Sequence, residues 1–540
     1  MSKWSVLVVL GAAQFLMVLD QAVMNVAISQ LVEDFDTTVT TIQAVIALYA
    51  LVMAALMMTG GKIGDIIGRR RAFAIGMVIY GTGSALTAAS WSVPSLMLGW
   101  SILEGIGAAL VLPALVALTA ATYRGEGRAI AYGVLGGIAG AGIAVGPILG
   151  GWATTELSWR VVFVGEVVVA IAILLATRLL PEPEREGPRP RLDWVGAAAS
   201  ALGLALLVLG VLQASNWGWL RPLNSPIEPF GFSLTPFVIA AGAVVLAGFR
   251  SWERRRETRG DEPLIHFRLF GNGMLRGGLT MLLAQNLILM GIFFTVPLFL
   301  QIVQGLDALD TGIRMLPASV GLFVSALAGS ALAKRFPARP LVRTGLAIVF
   351  VSTLLLLDTV DATLDSTSFL VAMGVLGIGM GLVVSQLGNV VQSSIGEADR
   401  SEAGGLQNTA AQLGSSLGTA LLGAVVISGL IFAFSNNVAS DARISADVKQ
   451  EVDVRLSSGG SFVSSDQVRQ ASEQAGVSPA ETDAVVEGYE SAQINALKTA
   501  FLFAGLIVLA SFWAARNLPA ERFEEIEAAR APPELAAADA

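Results

Sequence analysis

The sequence predicts an all-α polytopic membrane protein with fourteen transmembrane helices. Three observations carry that reading. Of 540 residues, 54% are hydrophobic and only 14% charged, against roughly 25% charged in an average soluble domain. The apolar residues fall into fourteen runs, each close to the ~20 residues that cross a bilayer: near 5–29, 41–60, 72–91, 95–121, 129–152, 160–180, 194–214, 233–250, 276–300, 312–333, 341–359, 368–391, 404–434 and 496–515. Lys and Arg cluster in alternate loops, at 69–71, 124–128, 178–191, 250–276 and 334–343. By the positive-inside rule those loops are cytoplasmic, as are both termini, and 436–495 lies outside.

Taken in order, the first run follows Met1-Ser2-Lys3 and continues through Asp20 to Ile28 without a small-residue cleavage site, so it reads as span one rather than a signal peptide. Spans one to six fill 1–180. Residues 181–190 are rich in Pro, Glu and Arg, and 252–269 are strongly basic. Between these linkers lie spans seven and eight, an extra hairpin in the segment 181–275. Spans nine to fourteen fill 276–515, and 516–540 form a cytoplasmic tail. The one large polar stretch, 436–495, begins a helix at Ser478-Pro479-Ala480-Glu481, a capping box with Pro at the first helical position, and another at Ser465-Asp466-Gln467-Val468. It reads as a small helical cap.

Composition narrows the chemistry. The chain has no cysteine and one histidine, His266, which excludes disulfides, thiolate metal sites, Cys nucleophiles and His-based triads. No P-loop, metal cluster or catalytic constellation is present, so an enzyme or a non-transporting sensor is a remote alternative, with no metal and no nucleic-acid partner expected. The net charge of −8 is set by the tails and one loop. Arg outnumbers Lys, and Ala and Gly abound, as in a GC-rich bacterial genome.

The turn between spans two and three reads Gly60-Gly61-Lys62-Ile63-Gly64-Asp65-Ile66-Ile67-Gly68-Arg69-Arg70-Arg71. Its glycines permit a sharp reversal and close helix approach. One carboxylate, Asp65, is left among cations. This pattern resembles the signature loop of the major facilitator superfamily of secondary transporters, and Gly61, Gly64, Asp65, Gly68, Arg69 and Arg70 are its candidate gate residues. Leu332-Ala333-Lys334-Arg335-Phe336-Pro337-Ala338-Arg339, between spans ten and eleven, is a decayed echo with Lys334 in place of Asp65. Two six-span halves with an inserted pair resemble the fourteen-helix drug:proton antiporters, whose halves are structural repeats.

Span five carries Gly142, Gly146, Pro147, Gly150 and Gly151. Glycines four apart make a bare face for another helix, and Pro147 permits a bend. The stretch resembles the motif that marks antiporters in the superfamily. Leu19-Asp20 with Asn25-Val26-Ala27-Ile28, Ser158-Trp159-Arg160 with Phe163, Asp193-Trp194-Val195-Gly196, Leu300-Gln301-Ile302-Val303-Gln304-Gly305 with Thr311-Gly312, and Gly405-Leu406-Gln407-Asn408-Thr409 with Gln412-Leu413-Gly414 are similar to further patterns of the fourteen-span family. Two positions depart. The family's Arg-x-x-Gln-Gly of span four reads Ser101-Ile102-Leu103-Glu104-Gly105, and Glu166 stands where Asn is usual.

Carboxylates inside a bilayer cost about 2.5–3.5 kcal/mol on insertion scales and tend to mark ion or proton paths. Asp20 and Glu104 each lie about ten residues from the outer end of their span, roughly 15 Å deep. Either they carry protons or a neighbouring hydroxyl or amide holds them structurally. Met17, Asp20 and Met24 share a helical face, as do Met97, Trp100 and Glu104, and polarizable thioethers and an indole suit bulky lipophilic, often cationic, molecules. Glu166 stands near Arg160, so an ion pair competes with a transport role. On the facing spans nine and twelve the polar residues are Gln285, Asn286, Ser385, Gln386 and Asn389. The resemblance implies a monomeric bacterial plasma-membrane exporter of small lipophilic or amphipathic compounds, cationic ones among them. It would need no cofactor and run on the proton gradient. A dedicated exporter of a single metabolite is the alternative. The loop's Asp65 would then hold the cytoplasmic face closed against the start of span thirteen, near Ala403 and Gly404.

Overall fold

The computed structural model describes residues 3–123, 126–182, 191–333, 335–361, 365–396, 400–457 and 462–521. Among them no strand occurs. In chain order the helices are α1 (Lys3–Val26), α2 (Ile28–Asp34), α3 (Val39–Ile67), α4 (Arg69–Ala88), α5 (Val93–Thr122), α6 (Glu126–Glu156), α7 (Trp159–Ala176), α8 (Trp194–Trp217), α9 (Thr235–Arg259), α10 (Gly273–Val303), α11 (Ala308–Leu332), α12 (Ala338–Thr359), α13 (Ser366–Ser393), α14 (Arg400–Ser440), α15 (Ala446–Ser457), α16 (Ser465–Gln474) and α17 (Pro479–Ala514).

Thirteen of these helices are long and apolar enough to cross a membrane. The fourteenth expected span falls on α4, whose 20 residues include Gly76, Gly81, Gly83, Thr82, Ser84 and Thr87 and are less apolar than the rest. The reason is positional: α4 packs between α5 and α7, with Ser84 and Thr87 turned toward their carboxyl groups and Gly76 and Gly83 set against α5.

Several motif residues prove to be helix starts. Ser158 caps α7 by accepting from Arg160 N at 3.3 Å, and Asp193 caps α8 by accepting from Gly196 N at 3.0 Å. Gly68 links α3 to α4 at φ +103°, a conformation that glycine adopts without a Cβ clash. In the polar region Ser464, one residue earlier than expected, caps α16 in a reciprocal box with Gln467. Ser478 caps α17, but the Glu481 carboxylate accepts from Ser445 N (3.1 Å) and Ser478 Oγ (2.6 Å) instead of closing a reciprocal box. Nearby, the hydrogen-bonded Arg443 guanidinium holds the Asp441 carboxyl below the usual range.

The first and last six spans meet along two seams, α3 against α14 and α6 against α11. Gly142, Gly146 and Gly150 lay the α6 backbone on Val18, Ala22 and Val23 of α1, while Pro147 and Gly151 abut Gly312 and Ala308 of α11. The antiporter-like stretch is therefore a two-sided spacer between α1 and the other set of spans. The inserted α8 rests on the α3/α14 seam through Leu51, Leu204, Val208, Leu413 and Leu417.

Hydrogen bonds between the first and last six spans gather toward the end that the charge rule puts outside. Gln301 donates to Val26 O (2.7 Å) and accepts from Ser29 N (3.1 Å), bridging the break between α1 and α2 at Ala27. Gln43 donates to Thr419 O and Ala420 O at 2.9 and 3.0 Å, and Thr155 Oγ1 accepts from Leu309 N at 3.2 Å. Toward the other end, a Cβ placed on Gly136 or Gly137 of α6 would meet nothing within 4 Å.

Candidate functional site

Asp20 on α1, Glu104 on α5 and Glu166 on α7 converge inside the first six spans. One carboxylate oxygen of each lies within 4.8 Å of the others, and none of the three residues is more than 2% exposed. Each carboxyl has one bonded oxygen. Trp100 Nε1 donates to Asp20 Oδ1 at 2.6 Å, Thr87 Oγ1 lies 3.0 Å from Glu104 Oε1, and Tyr80 OH and Ser84 Oγ both reach Glu166 Oε2 at 3.2 Å. The second oxygens, Asp20 Oδ2, Glu104 Oε2 and Glu166 Oε1, are buried without a partner. So is the hydroxyl of Tyr49, whose ring stacks on Trp100 at 4.5 Å.

Local structure explains the convergence. Met97–Glu104 is a π-helical segment within α5, a wider turn than the α-helix, and it carries both Trp100 and Glu104. Gly83 lets α4 approach it: a Cβ there would stand 2.6 Å from Glu104 Cγ. Arg160, a candidate partner for Glu166, is instead taken by α2. It bonds Asp34 at 2.7 Å and Ser90 O at 3.2 Å, beside a Trp159–Asp34 bond of 2.8 Å. This corrects the ion-pair reading of Glu166.

The electrostatics follow from this geometry. Among the described residues no Lys, Arg or His pairs with any of the three carboxyls. Carboxylate oxygens within 4.8 Å of one another repel by about 3 kcal/mol per charged pair at an effective dielectric constant of ~20, so a charge on one member of the trio disfavours a charge on the next. Thr87 has one hydroxyl proton and two partners, Gly83 O at 2.9 Å and Glu104 Oε1 at 3.0 Å, so it serves one of them at a time.

A separate cavity of about 140 Å³ lies between Gln14, Met17, Gln21 (α1), Met53 (α3) and Asn408, Gln412 (α14). Of the sequence-derived cavity residues, Met17 lines it. Met24 and Trp100 are fully buried, and Met97 lies on the π-helical segment. Gln285 accepts from Asn286, and Gln386 donates to Gly329 O at 2.9 Å. Asn389 lies on α13, outside the cavity lining. The amides that do line the cavity were visible as Gln14 and Gln21, two helical turns apart, and as Asn408 and Gln412 within a motif already singled out.

At the gate loop Asp65 pairs with Arg69, and Arg69 Nη1 also donates to Gly61 O at 3.1 Å. A Cβ on Gly64 would meet Arg69, so the loop's glycine makes room for the guanidinium. Arg70 follows it in the first turn of α4. At the start of α14, Glu402 bonds His266 Nδ1 at 2.8 Å, and Lys62 pairs with Glu262 at 3.1 Å. The linker after α9 thus ties to α3 and α14 at once. Lys334, the counterpart of Asp65, lies outside the described residues.

Two bundles joined along paired seams, with a cavity between them and buried acids beside it, define a polytopic membrane transporter rather than an enzyme. The chain belongs to the Major Facilitator Superfamily, whose family model matches residues 10–419. It is 31% identical over 430 residues to the probable actinorhodin transporter of Streptomyces coelicolor (78% of this chain, 72% of that protein). It is 34% identical over 435 residues to the cephamycin export protein CmcT of Amycolatopsis lactamdurans (78% and 85%), and 29% identical over 424 residues to the multidrug efflux pump LfrA of Mycolicibacterium smegmatis (78% and 80%). Its fold matches a bacterial homologue of the human lysosomal transporter Spinster, with a TM-score of 0.58 at 16% identity, covering 96% and 97% of the two chains.

Proposed function

We propose that the chain is a proton-driven exporter of lipophilic or amphipathic small molecules in a bacterial plasma membrane, working as a monomer with both termini cytoplasmic. Two six-helix units, 1–180 and 276–515, rock about the α3/α14 and α6/α11 seams, with 181–275 as an inserted pair and 516–540 as a tail. The observation that carries the reading is the cation-free trio Asp20, Glu104 and Glu166. Such a centre holds protons when sealed from water. It can lose one only where a change of state opens it to a less acidic phase. Asp20 and Glu104 are the principal proton carriers, and Glu166 shares their charge. No cofactor is required, because the gradient supplies the energy.

Support comes from the relatives, named as exporters and efflux pumps. A second reading, export of one dedicated metabolite, is favoured by the single compounds in two of those names. Proteoliposome efflux, driven by an imposed proton gradient and scanned over chemically distinct dyes and drugs, tests both. Broad transport supports the multidrug reading, transport of one or two compounds the dedicated one, and gradient-independent behaviour throughout rejects proton coupling.

A further inference from the structure

The basic stretch that ends α9 has two faces. Inward, Glu253 Oε2 accepts from Leu264 N at 2.7 Å, and Arg256 lies 3.3 Å from Asp193 and donates to Glu262 O at 3.0 Å. Trp252 Nε1 donates to Asp193 Oδ2 at 2.9 Å, so these last turns are fixed against the start of α8. Outward, Arg250, Arg254, Arg255 and Arg259 are all exposed, and among the described residues no carboxylate pairs with them. At 3.6 residues per turn, Arg250 and Arg254 border one side of a helical arc and Arg255 and Arg259 the other. The arc itself carries Ala240, Ala243, Val244, Ala247, Gly248 and Ser251, every one exposed, while Gly242, Phe249 and Glu253 of the opposite face are buried. α9 is the least enclosed of the thirteen candidate spans. Trp194, 72% exposed, stands next to its charged end at the start of α8.

We propose that the charged end of α9 binds an anionic phospholipid, its phosphate held among Arg250, Arg254, Arg255 and Arg259 and an acyl chain laid along the small-residue arc. Depth and charge both point to a lipid. Arg250 closes the apolar run and Arg259 lies roughly 13 Å further along the helix axis, so the four guanidiniums bracket a headgroup layer about 5–7 Å thick. A guanidinium offers a phosphate paired donors in a fixed fork, and clustered basic residues just beyond a span draw anionic headgroups out of a mixed bilayer. An exposed indole beside them suits the same interfacial depth. Alanine, glycine and valine side chains leave the arc shallow, with room for a chain of methylenes against the helix. A second copy is disfavoured as the occupant, because a twofold pairing through this arc would set one group of four guanidiniums against another. The proposal does not depend on the exporter reading.

Because the chain has no cysteine, the test places one fluorophore at Ser251→Cys, between the arginines, or at Ala240→Cys, at the far end of the same arc. The full-length protein is reconstituted in nanodiscs, and quenching by phosphatidylglycerol with brominated chains is compared with quenching by phosphatidylcholine with the same chains. The label at 251 should favour phosphatidylglycerol at least threefold, and the label at 240 should show no preference. Replacing all four arginines (R250Q, R254Q, R255Q and R259Q together) should bring the preference at 251 down to that at 240. Equal quenching by the two lipids at 251, or a preference that survives the fourfold replacement, overturns the proposal. So does quenching by neither lipid at 251, which would mean that protein covers the arc. If the fourfold variant does not fold, the comparison of 251 with 240 in the chain that keeps its arginines decides the matter.

Discussion

Gln301 supplies a quantitative test of how the outer face closes. Its carboxamide makes two hydrogen bonds, of 2.7 and 3.1 Å, to the break between α1 and α2. It is 8% exposed and sits on the second π-helical segment, Phe299–Val303. Gln301→Leu keeps the volume and removes both bonds. At about 0.5–1.5 kcal/mol net each, the closed arrangement should lose about 1–3 kcal/mol, a shift of about 5- to 150-fold toward outward opening. Because the chain has no cysteine, spin labels can be placed at Glu33→Cys and Asp361→Cys, two exposed positions at the outer ends. Double electron–electron resonance should show a longer-distance population growing in the Gln301→Leu background. An unchanged distance distribution would refute the assignment of Gln301 as an outer latch.

Three further outcomes follow from the same structure. Asp65→Asn should fold and express normally but lose most transport. It removes the anion paired with Arg69, so wild-type transport by this variant would end the gate hypothesis. Gly146→Val should lower the melting temperature through about 1–3 kcal/mol of overpacking against Ala22, whereas Gly136→Ala, facing open space, should raise it slightly; equal effects would contradict the spacer role of α6. Glu186→Cys should resist an impermeant thiol reagent on intact cells while Ser457→Cys reacts, and the reverse pattern would invert the proposed topology.

Much of this fold was legible as fourteen apolar runs and a charge asymmetry, because bilayer thickness fixes helix length directly. Span three was the faintest, since Gly83, Ser84 and Thr87 face carboxyl groups rather than lipid. The acid centre was half legible. Asp20 and Glu104 stood out by depth, but for Glu166 an ion pair with Arg160, six residues away, competed with a transport role. Only the tertiary fold brings Asp34 of α2 to claim that guanidinium. The cavity was sought through amides on spans nine and twelve, whereas its polar lining comes from α1 and α14. Helical periodicity shows which residues share a face, and packing decides which face meets the space between the two sets of spans. The π-helical turn at Met97–Glu104 adds a register change that α-helical spacing does not reveal.

The central claim is that protons bound at the buried carboxyls drive export. The most direct measurement is efflux under an imposed proton gradient alongside gradient-free substrate exchange, in proteoliposomes carrying the wild type, Asp20→Asn, Glu104→Gln or Glu166→Gln. Exchange should persist in all four. Gradient-driven accumulation should be lost in Asp20→Asn and Glu104→Gln and should show an altered pH profile in Glu166→Gln. If Asp20→Asn and Glu104→Gln both retain gradient-driven efflux with the wild-type pH profile, the carboxyls are structural and coupling resides elsewhere.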